Sequence, residues 1–107
     1  MDNSPLDLLA QSASLWERRI AIIATFTFIR QNRFEETLRI ARLLLHDREE
    51  LIHKAAGWML REVGKRDTAV EERFLREHCR AMLRTMLRYA IEKFPKEKRQ
   101  IYLKGKC

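Results

Sequence analysis

Apolar residues recur along most of the chain at the three- and four-residue spacing that is typical of amphipathic helices. Short polar joints interrupt this pattern, and residues that cap or stop helices stand at several of them. Ser14 to Glu17 has the capping-box form S-x-x-E, Asp47 is expected to begin a helix, and Gly64 to end it in the left-handed conformation. We therefore predict seven helices, over about 5–11, 15–30, 34–45, 48–63, 68–78, 81–94 and 96–103.

These helices and the short loops between them predict an all-α protein of antiparallel helix pairs. Trp16 and Trp58 are 42 residues apart, and the segments 18–21 and 53–56 are 35 residues apart. Both spacings lie near the helix-pair repeat of HEAT-type solenoids, so a short HEAT-like α-solenoid is the expected architecture. A compact helical bundle is the alternative. We expect one helical-repeat domain over 1–107, ordered over about 4–103, with a tail at 104–107.

The composition narrows the classes of function. Three Gly and two Pro leave little turn-forming material, so sheets built from hairpins are excluded. A net charge of +7 favours polyanionic partners. The longest uncharged stretch, 20–29, is half the roughly 20 residues that a membrane-spanning helix needs, and the N-terminus has no basic segment typical of a signal peptide. We expect a cytoplasmic protein with no membrane association.

The two cysteines, Cys79 and Cys107, are not expected to form a disulfide framework, because Cys107 is the last residue of the predicted tail. No CxxC motif or Cys/His cluster indicates zinc. This cysteine usage agrees with a reducing cytoplasm.

The fourth predicted helix carries the most specific signal. Its core face is formed by Ile52, Ala55, Ala56, Met59, Leu60 and Val63. Trp58 lies about 120° from the centre of that face, on one stripe with Lys54, Arg61 and Lys65. Basic groups around an indole suit phosphate neutralisation combined with stacking or cation–π contact. The alternative is that Trp58 packs under a neighbouring helix and the cations form an ordinary solvated face.

Two further cations, Arg18 and Arg19, lie in the first turn of the second predicted helix. The helix dipole disfavours positive charge there, whereas a bound phosphate would use both the guanidinium groups and the free backbone amides. The alternative is a structural ion pair with an acid of a neighbouring helix, for example Glu49 or Glu50.

The sequence contains no complete motif of a catalytic or metal site. Glu50 and His53 have the Glu-x-x-His spacing of carboxylate-bridged metal bundles, but the second copy that such a site needs is missing. No Gly-rich phosphate loop and no motif that marks a nucleophile is present. The sequence therefore assigns no catalytic residue, no metal and no cofactor.

Three segments carry a resemblance to a known family: LWERRIAI (15–22), LIHKAAGWMLREVGKRD (51–67) and RTMLRYAIEKFP (84–95). Together they resemble the bacterial DNA alkylation repair enzymes of the AlkD-like type, and the similarity runs from about residue 4 to residue 103. The resemblance implies HEAT-like repeats around a basic groove that holds duplex DNA. It also implies hydrolytic release of N3- or N7-alkylated purines without a metal.

Carried over to this sequence, the resemblance makes Trp58 a groove tryptophan at the lesion and Arg19 a groove arginine near the DNA backbone. The neighbours of Trp58 on its stripe would then face phosphates, namely Lys54, Arg61 and Lys65. Arg18 would be a further DNA contact. Leu83 stands where the family pattern has Pro, which is expected to lengthen the sixth helix.

The family's catalytic aspartate lies in a repeat upstream of the W-x-R-R block, and neither Asp2 nor Asp7 lies in a matching motif. The chain is therefore expected to correspond to the C-terminal half of such an enzyme. Its expected function is that of a DNA alkylation repair homologue that binds duplex DNA, preferably alkylated or abasic, and lacks the catalytic Asp. The alternatives are a non-catalytic nucleic-acid-binding repeat protein and a module that forms a homodimer through its exposed N-terminal edge.

Overall fold

The computed structural model describes residues 5–106, and this part of the chain consists of helices joined by turns, with no strand. The all-α prediction is confirmed. None of the described helices combines the length and the apolar character needed to cross a membrane. The helices are α1 (Pro5–Ala10), α2 (Leu15–Ala24), α3 (Phe26–Ile29), α4 (Glu35–Leu43), α5 (Glu50–Arg66), α6 (Thr68–His78), α7 (Arg84–Ala90) and α8 (Lys96–Leu103).

The predicted second helix is divided in two. It begins as expected, because the side chain of Ser14 accepts a hydrogen bond from the amide of Glu17 at 3.4 Å. The expected continuation to residue 30 is wrong, since α2 ends at Ala24 and α3 starts at Phe26. Between them the hydroxyl of buried Thr25 donates to the carbonyl of Ile22 at 2.6 Å. A threonine that bonds back to the preceding turn competes with the helical ladder and bends the helix.

Both ends of α5 also differ from the prediction. The helix begins at Glu50, and Asp47 instead accepts a hydrogen bond from the amide of Glu49 at 2.9 Å, which closes the loop before the helix. At the other end α5 continues through Gly64 to Arg66, so Gly64 is not a left-handed cap. A Cβ at Gly64 would lie 1.8 Å from Oε1 of Glu71. The missing side chain therefore makes room for a buried carboxyl group of α6.

The helix predicted over 81–94 is shorter in the structure. α7 covers only Arg84–Ala90, and turns occupy the rest of the predicted range. Leu83 has extended backbone angles at its N-cap position (φ −63°, ψ 150°), so the leucine does not lengthen the helix. Asp67 caps α6 and Pro95 precedes α8, so these two helices begin at residues 68 and 96 as predicted.

Helix α5 lies at the centre of the core. Its predicted core face is fully buried, and it packs against α2, α3, α4, α6 and most extensively α7. Gly57 sits at the crossing with α7, where a Cβ would lie 2.5 Å from the carbonyl oxygen of Met86 and from Cβ of Tyr89. The radius of gyration is 13.0 Å, which equals the roughly 13 Å expected of a globular domain of this size. This arrangement is consistent with both a helical bundle and a short repeat array.

The expectation for the cysteines is wrong, because Cys79 is disulfide-bonded. Cys79 is buried just after the end of α6, and the other cysteine of the chain, Cys107, lies outside the described residues. Close by, Arg80 Nε donates to the carbonyl of Gly105 at 3.2 Å, so the described part of the predicted tail contacts the body of the protein. Because Cys79 is disulfide-bonded, the cysteines no longer support a reducing compartment.

The substitution Gly57→Ala tests the crossing of α5 and α7. Gly→Ala in a helix interior ordinarily stabilises by about 0.5–1 kcal/mol. Here the added methyl group meets backbone atoms of α7, so we expect the free energy of unfolding to fall by about 1–3 kcal/mol. Urea denaturation measures the change, and a variant as stable as the wild type would contradict the close crossing.

Candidate nucleic-acid interface

A cleft of about 240 Å³ opens where α2, α5 and α7 meet, and we call it the indole cleft. It brings together four of the six predicted site residues, namely Arg19, Lys54, Trp58 and Arg61. Lys65 lies one turn further along α5, outside this lining. Arg18 also lies outside it and contacts Asp47 in the loop before α5. The remaining lining residues are Leu51, Ala55 and Tyr89.

Trp58 provides the aromatic surface of the indole cleft. It is 36% exposed. The alternative that a neighbouring helix covers Trp58 is therefore wrong. Its Nε1 donates to Oε2 of Glu62 at 3.2 Å, one turn further along the same helix. This hydrogen bond holds the indole in one orientation while leaving part of its ring surface accessible.

Arg19 and Lys54 provide the available positive charge. Neither side chain makes a hydrogen bond or ion pair with any residue in 5–106, whereas most other cations near the cleft do. Arg19 is half-buried in the cleft and Lys54 is exposed beside it. An anion that enters the cleft can therefore contact both without displacing an existing partner.

Arg61 and Lys65 are already ion-paired. Arg61 pairs with Glu92 and donates to the carbonyl of Tyr89 at 3.4 Å, and only 17% of its side chain is exposed. It therefore ties α5 to α7 and to the turn that follows. Lys65 pairs with Glu62 at 3.1 Å and stays half-exposed. The basic stripe predicted on α5 is in part neutralised by these carboxylates.

Arg18 is used to hold the fold together. Its Nε and Nη2 donate to the carboxylate of Asp47 at 2.7 and 3.3 Å, and Nη1 donates to the carbonyls of Ser12 and Ala13 at 3.0 and 3.1 Å. The structural ion pair that the sequence left open is therefore present, although its acid is Asp47 and not Glu49 or Glu50. His53, buried in α5, bonds the Asp47 carbonyl through Nε2 at 2.6 Å, which fixes the same loop from the core side.

Sequence reasoning did not identify Tyr89, which is 37% exposed and also lines the indole cleft. The sequence feature that could have pointed to it is Gly57, whose missing side chain allows a close approach next to Trp58. A single sequence does not show which helix makes that approach. In the structure it is α7, and its crossing carries Tyr89 to the cleft.

Neutralising Asp47 tests the role of Arg18. Burial opposes ionisation of Asp47, but the hydrogen bonds from Arg18 and the Glu49 amide outweigh it, so the pKa of Asp47 lies below its usual value. A depressed pKa gives stability that is present above the unfolded pKa of about 3.9 and is lost as the pH falls through the folded pKa. We expect Asp47→Asn to lower the free energy of unfolding at pH 7 by about 1.5–3 kcal/mol.

The difference between Asp47→Asn and the wild type should begin to shrink as the pH falls through about 3.9, where the unfolded carboxylate takes up a proton, and should disappear below the depressed pKa of the folded carboxylate. Denaturation over a range of pH measures it. Glu97→Gln is the matched control, because exposed Glu97 has no hydrogen bond or ion pair within the described residues. An Asp47→Asn variant that behaves like this control at pH 7 would show that the ion pair is not structural.

Comparison with known proteins adds one finding. The family model described as DNA alkylation repair enzyme matches residues 2–94, which is most of the chain. No curated protein and no solved structure matches it.

Proposed function

Because the chain belongs to the DNA alkylation repair enzyme family, we propose that it binds duplex DNA through the indole cleft. The observation that carries the proposal is the meeting of two cations without partners in the described chain, Arg19 and Lys54, with the accessible indole of Trp58. Phosphate neutralisation and stacking on an aromatic ring are the two contributions that binding of nucleic acid requires.

Each side chain of the indole cleft has a role in this proposal. Arg19 and Lys54 contact backbone phosphates, and the net charge of +7 steers the duplex to the protein. Trp58 and Tyr89 flank a nucleotide. Arg61 joins α5 to the end of α7 and so supports the position of both rings.

A purine alkylated at N3 or N7 carries a positive charge, and a cation over an indole face gains about 0.5–1 kcal/mol when exposed and about 2 kcal/mol when desolvated. The indole of Trp58 should therefore favour an alkylated base over an ordinary one. This gives a physical basis for a preference for damaged DNA that does not need a hydrogen-bonding pocket.

Release of the base is a separate step. Hydrolysis of the N-glycosidic bond needs stabilisation of an oxocarbenium-like sugar, and a carboxylate is the group that would supply it. Among the described residues, no Asp or Glu lines the indole cleft. We therefore propose that this cleft recognises alkylated DNA without accelerating base release by itself. The AlkD-like type and the correspondence to its C-terminal half belong to the same proposal.

The homodimer that the sequence offered as an alternative stays a prediction. Trp16 and Ile20, four residues apart on α2, are both more than half exposed and are the apolar surface on which such a dimer would depend.

Substitution of Trp58 tests recognition of the lesion. We expect Trp58→Ala to weaken binding to a duplex with an alkylated or abasic site by about three- to thirtyfold, which corresponds to one stacked or cation–π contact, and to weaken plain duplex less. Trp16→Ala is the matched control, because Trp16 is the more exposed tryptophan and lies outside the cleft lining. Fluorescence anisotropy at fixed salt measures all three duplexes.

Arg19→Ala should weaken binding to every duplex and reduce the slope of log K against log salt by about one, since one phosphate contact is lost. Arg73→Ala is its control, because exposed Arg73 on α6 is also without a hydrogen bond or ion pair in the region 5–106.

Equal losses on all duplexes for Trp58→Ala, or equal effects of Trp58→Ala and Trp16→Ala, would contradict the lesion site.

Single-turnover release of methylated purines from alkylated duplex tests the catalytic part of the proposal. With the protein in excess over DNA, we expect release at the spontaneous rate while the duplex remains bound. Release above that rate that is lost in Trp58→Ala would show that a carboxylate outside the cleft lining takes part in the reaction, and would overturn this part of the proposal.

A further inference from the structure

A second cleft, of about 200 Å³, lies on the other side of Arg61, between the C-terminal end of α5, α6 and the turn before α8. We call it the Glu71 cleft. Arg61 lines both clefts, so the two are neighbours on one surface. Besides Arg61 and Glu71, its polar lining consists of Lys65, Thr68, Lys93 and Lys98. Glu71 is the only acidic residue among the described residues of this lining.

Glu71 is buried in an unusual way. It is 1% exposed, and its Oε2 is buried with no hydrogen-bond partner among the described residues. Its carboxyl group occupies the space that the absent side chain of Gly64 leaves open. Nε of Arg61, which lines the same cleft, is likewise buried without a partner in the part of the chain described. Buried polar groups in native proteins are almost always hydrogen-bonded, so two unpartnered atoms at one cleft indicate a missing polar ligand.

We propose that the Glu71 cleft binds a phosphate group, with the buried carboxyl group of Glu71 as one hydrogen-bonding partner and Lys93 as the principal counter-charge. A protonated carboxyl group carries one O–H donor, and a phosphate oxygen is a strong acceptor. The cleft volume exceeds the roughly 30 Å³ of a single water, so it admits a larger polar group.

The protonation of Glu71 follows from its surroundings. Burial, and after it the nearby charge of Glu72 on the same helix, raises the pKa of Glu71 to about 9. Arg61 of α5 and Lys98 of α8 act in the opposite direction but are outweighed. Lys65 of α5 and Lys93 of the turn before α8 also line the cleft. At neutral pH the cleft therefore contains a neutral acid surrounded by cations.

The charge available to an anion is provided mainly by Lys93. The other three cations already have acidic partners, since Arg61 pairs with Glu92, Lys65 with Glu62 and Lys98 with Glu72. Lys93 is exposed and has no hydrogen bond or ion pair within residues 5–106. A phosphate that enters the cleft adds a partner to Lys93 and gives the O–H of protonated Glu71 an acceptor.

The phosphate could be part of a nucleic-acid backbone or a free phosphate group, and the chemistry at the cleft is the same. If the phosphate belongs to a nucleic-acid backbone, one bound duplex would contact both the Glu71 cleft and the indole cleft. Only this case rests on the proposed function. The experiment below separates the two sources.

Titration with inorganic phosphate tests the site without DNA. Amide resonances of Gly64 and Thr68 should shift in a saturable manner, and Lys93→Gln should weaken the binding about two- to fivefold, as loss of one exposed ion pair does. Lys104→Gln, which removes an exposed lysine outside the lining, should leave it unchanged. Absence of a saturable shift at tens of millimolar phosphate would show that the cleft holds only water, and would overturn the proposal.

The pH dependence identifies the role of Glu71. At about pH 8 and about pH 10 phosphate is a dianion, but one unit above its pKa only about a tenth of Glu71 remains protonated. Phosphate affinity should therefore fall about tenfold more in the wild type than in Glu71→Gln, whose amide stays a donor at both values. Equal falls in the two proteins would assign the loss to the lysines and would contradict the role of Glu71. A circular dichroism spectrum and a thermal midpoint like those of the wild type establish that the variant is folded.

The DNA arm uses the same variants with unmodified duplex. A loss of duplex affinity in Lys93→Gln of the size seen with phosphate would identify a backbone phosphate as the ligand. Unchanged duplex affinity, together with a saturable phosphate shift, would identify a free phosphate group. Trp58→Ala should leave the phosphate titration unaffected, so failure of the indole cleft as a DNA site and failure of the Glu71 cleft are distinguishable.

Discussion

The close crossing of α5 and α7 is the constraint on which the surface features depend. Gly57 lets the backbone of Met86 and the Cβ of Tyr89 approach to a distance that no other residue type would allow. The approach puts Tyr89 in the lining of the indole cleft and brings the end of α7 within reach of Arg61. Both clefts are bounded by this pair of helices, so an increase in their separation would alter the two together.

Adjacent arginines on α2 are buried to a similar degree but differ in their partners. Arg18 faces the loop before α5 and uses Nε, Nη1 and Nη2 in four hydrogen bonds to Asp47, Ser12 and Ala13. Arg19 is rotated by one helical step and faces the indole cleft with no hydrogen bond in the described chain. Because Arg18 fixes the start of α2 against the loop before α5, it also fixes where Arg19 projects.

The helical periodicity predicted the all-α fold and the buried face of α5, because those depend on local spacing alone. It placed Trp58 away from that face but left open whether a neighbouring helix covers it. It did not predict the break at Thr25, since a buried hydroxyl that bonds back along the helix looks the same in sequence as one that does not. Likewise, Gly64 matched the pattern of a helix end, although its function is to accommodate Glu71. Tyr89 and Glu71 became candidates only when tertiary packing placed them at clefts, which a single sequence does not encode in readable form.

The position of Glu62 limits what the indole ring of Trp58 can distinguish. Its Oε2 accepts hydrogen bonds both from Nε1 of Trp58 at 3.2 Å and from Nζ of Lys65 at 3.1 Å. The one polar atom of the indole is therefore occupied, and a nucleobase that binds there as proposed would meet only the carbon framework and π-faces of the ring. Hydrogen-bond patterns along base edges, which distinguish one base from another, have no counterpart at this ring. A surface of this kind responds to the planarity and charge of a base and not to its identity, so chemically different cationic lesions would be equivalent to it.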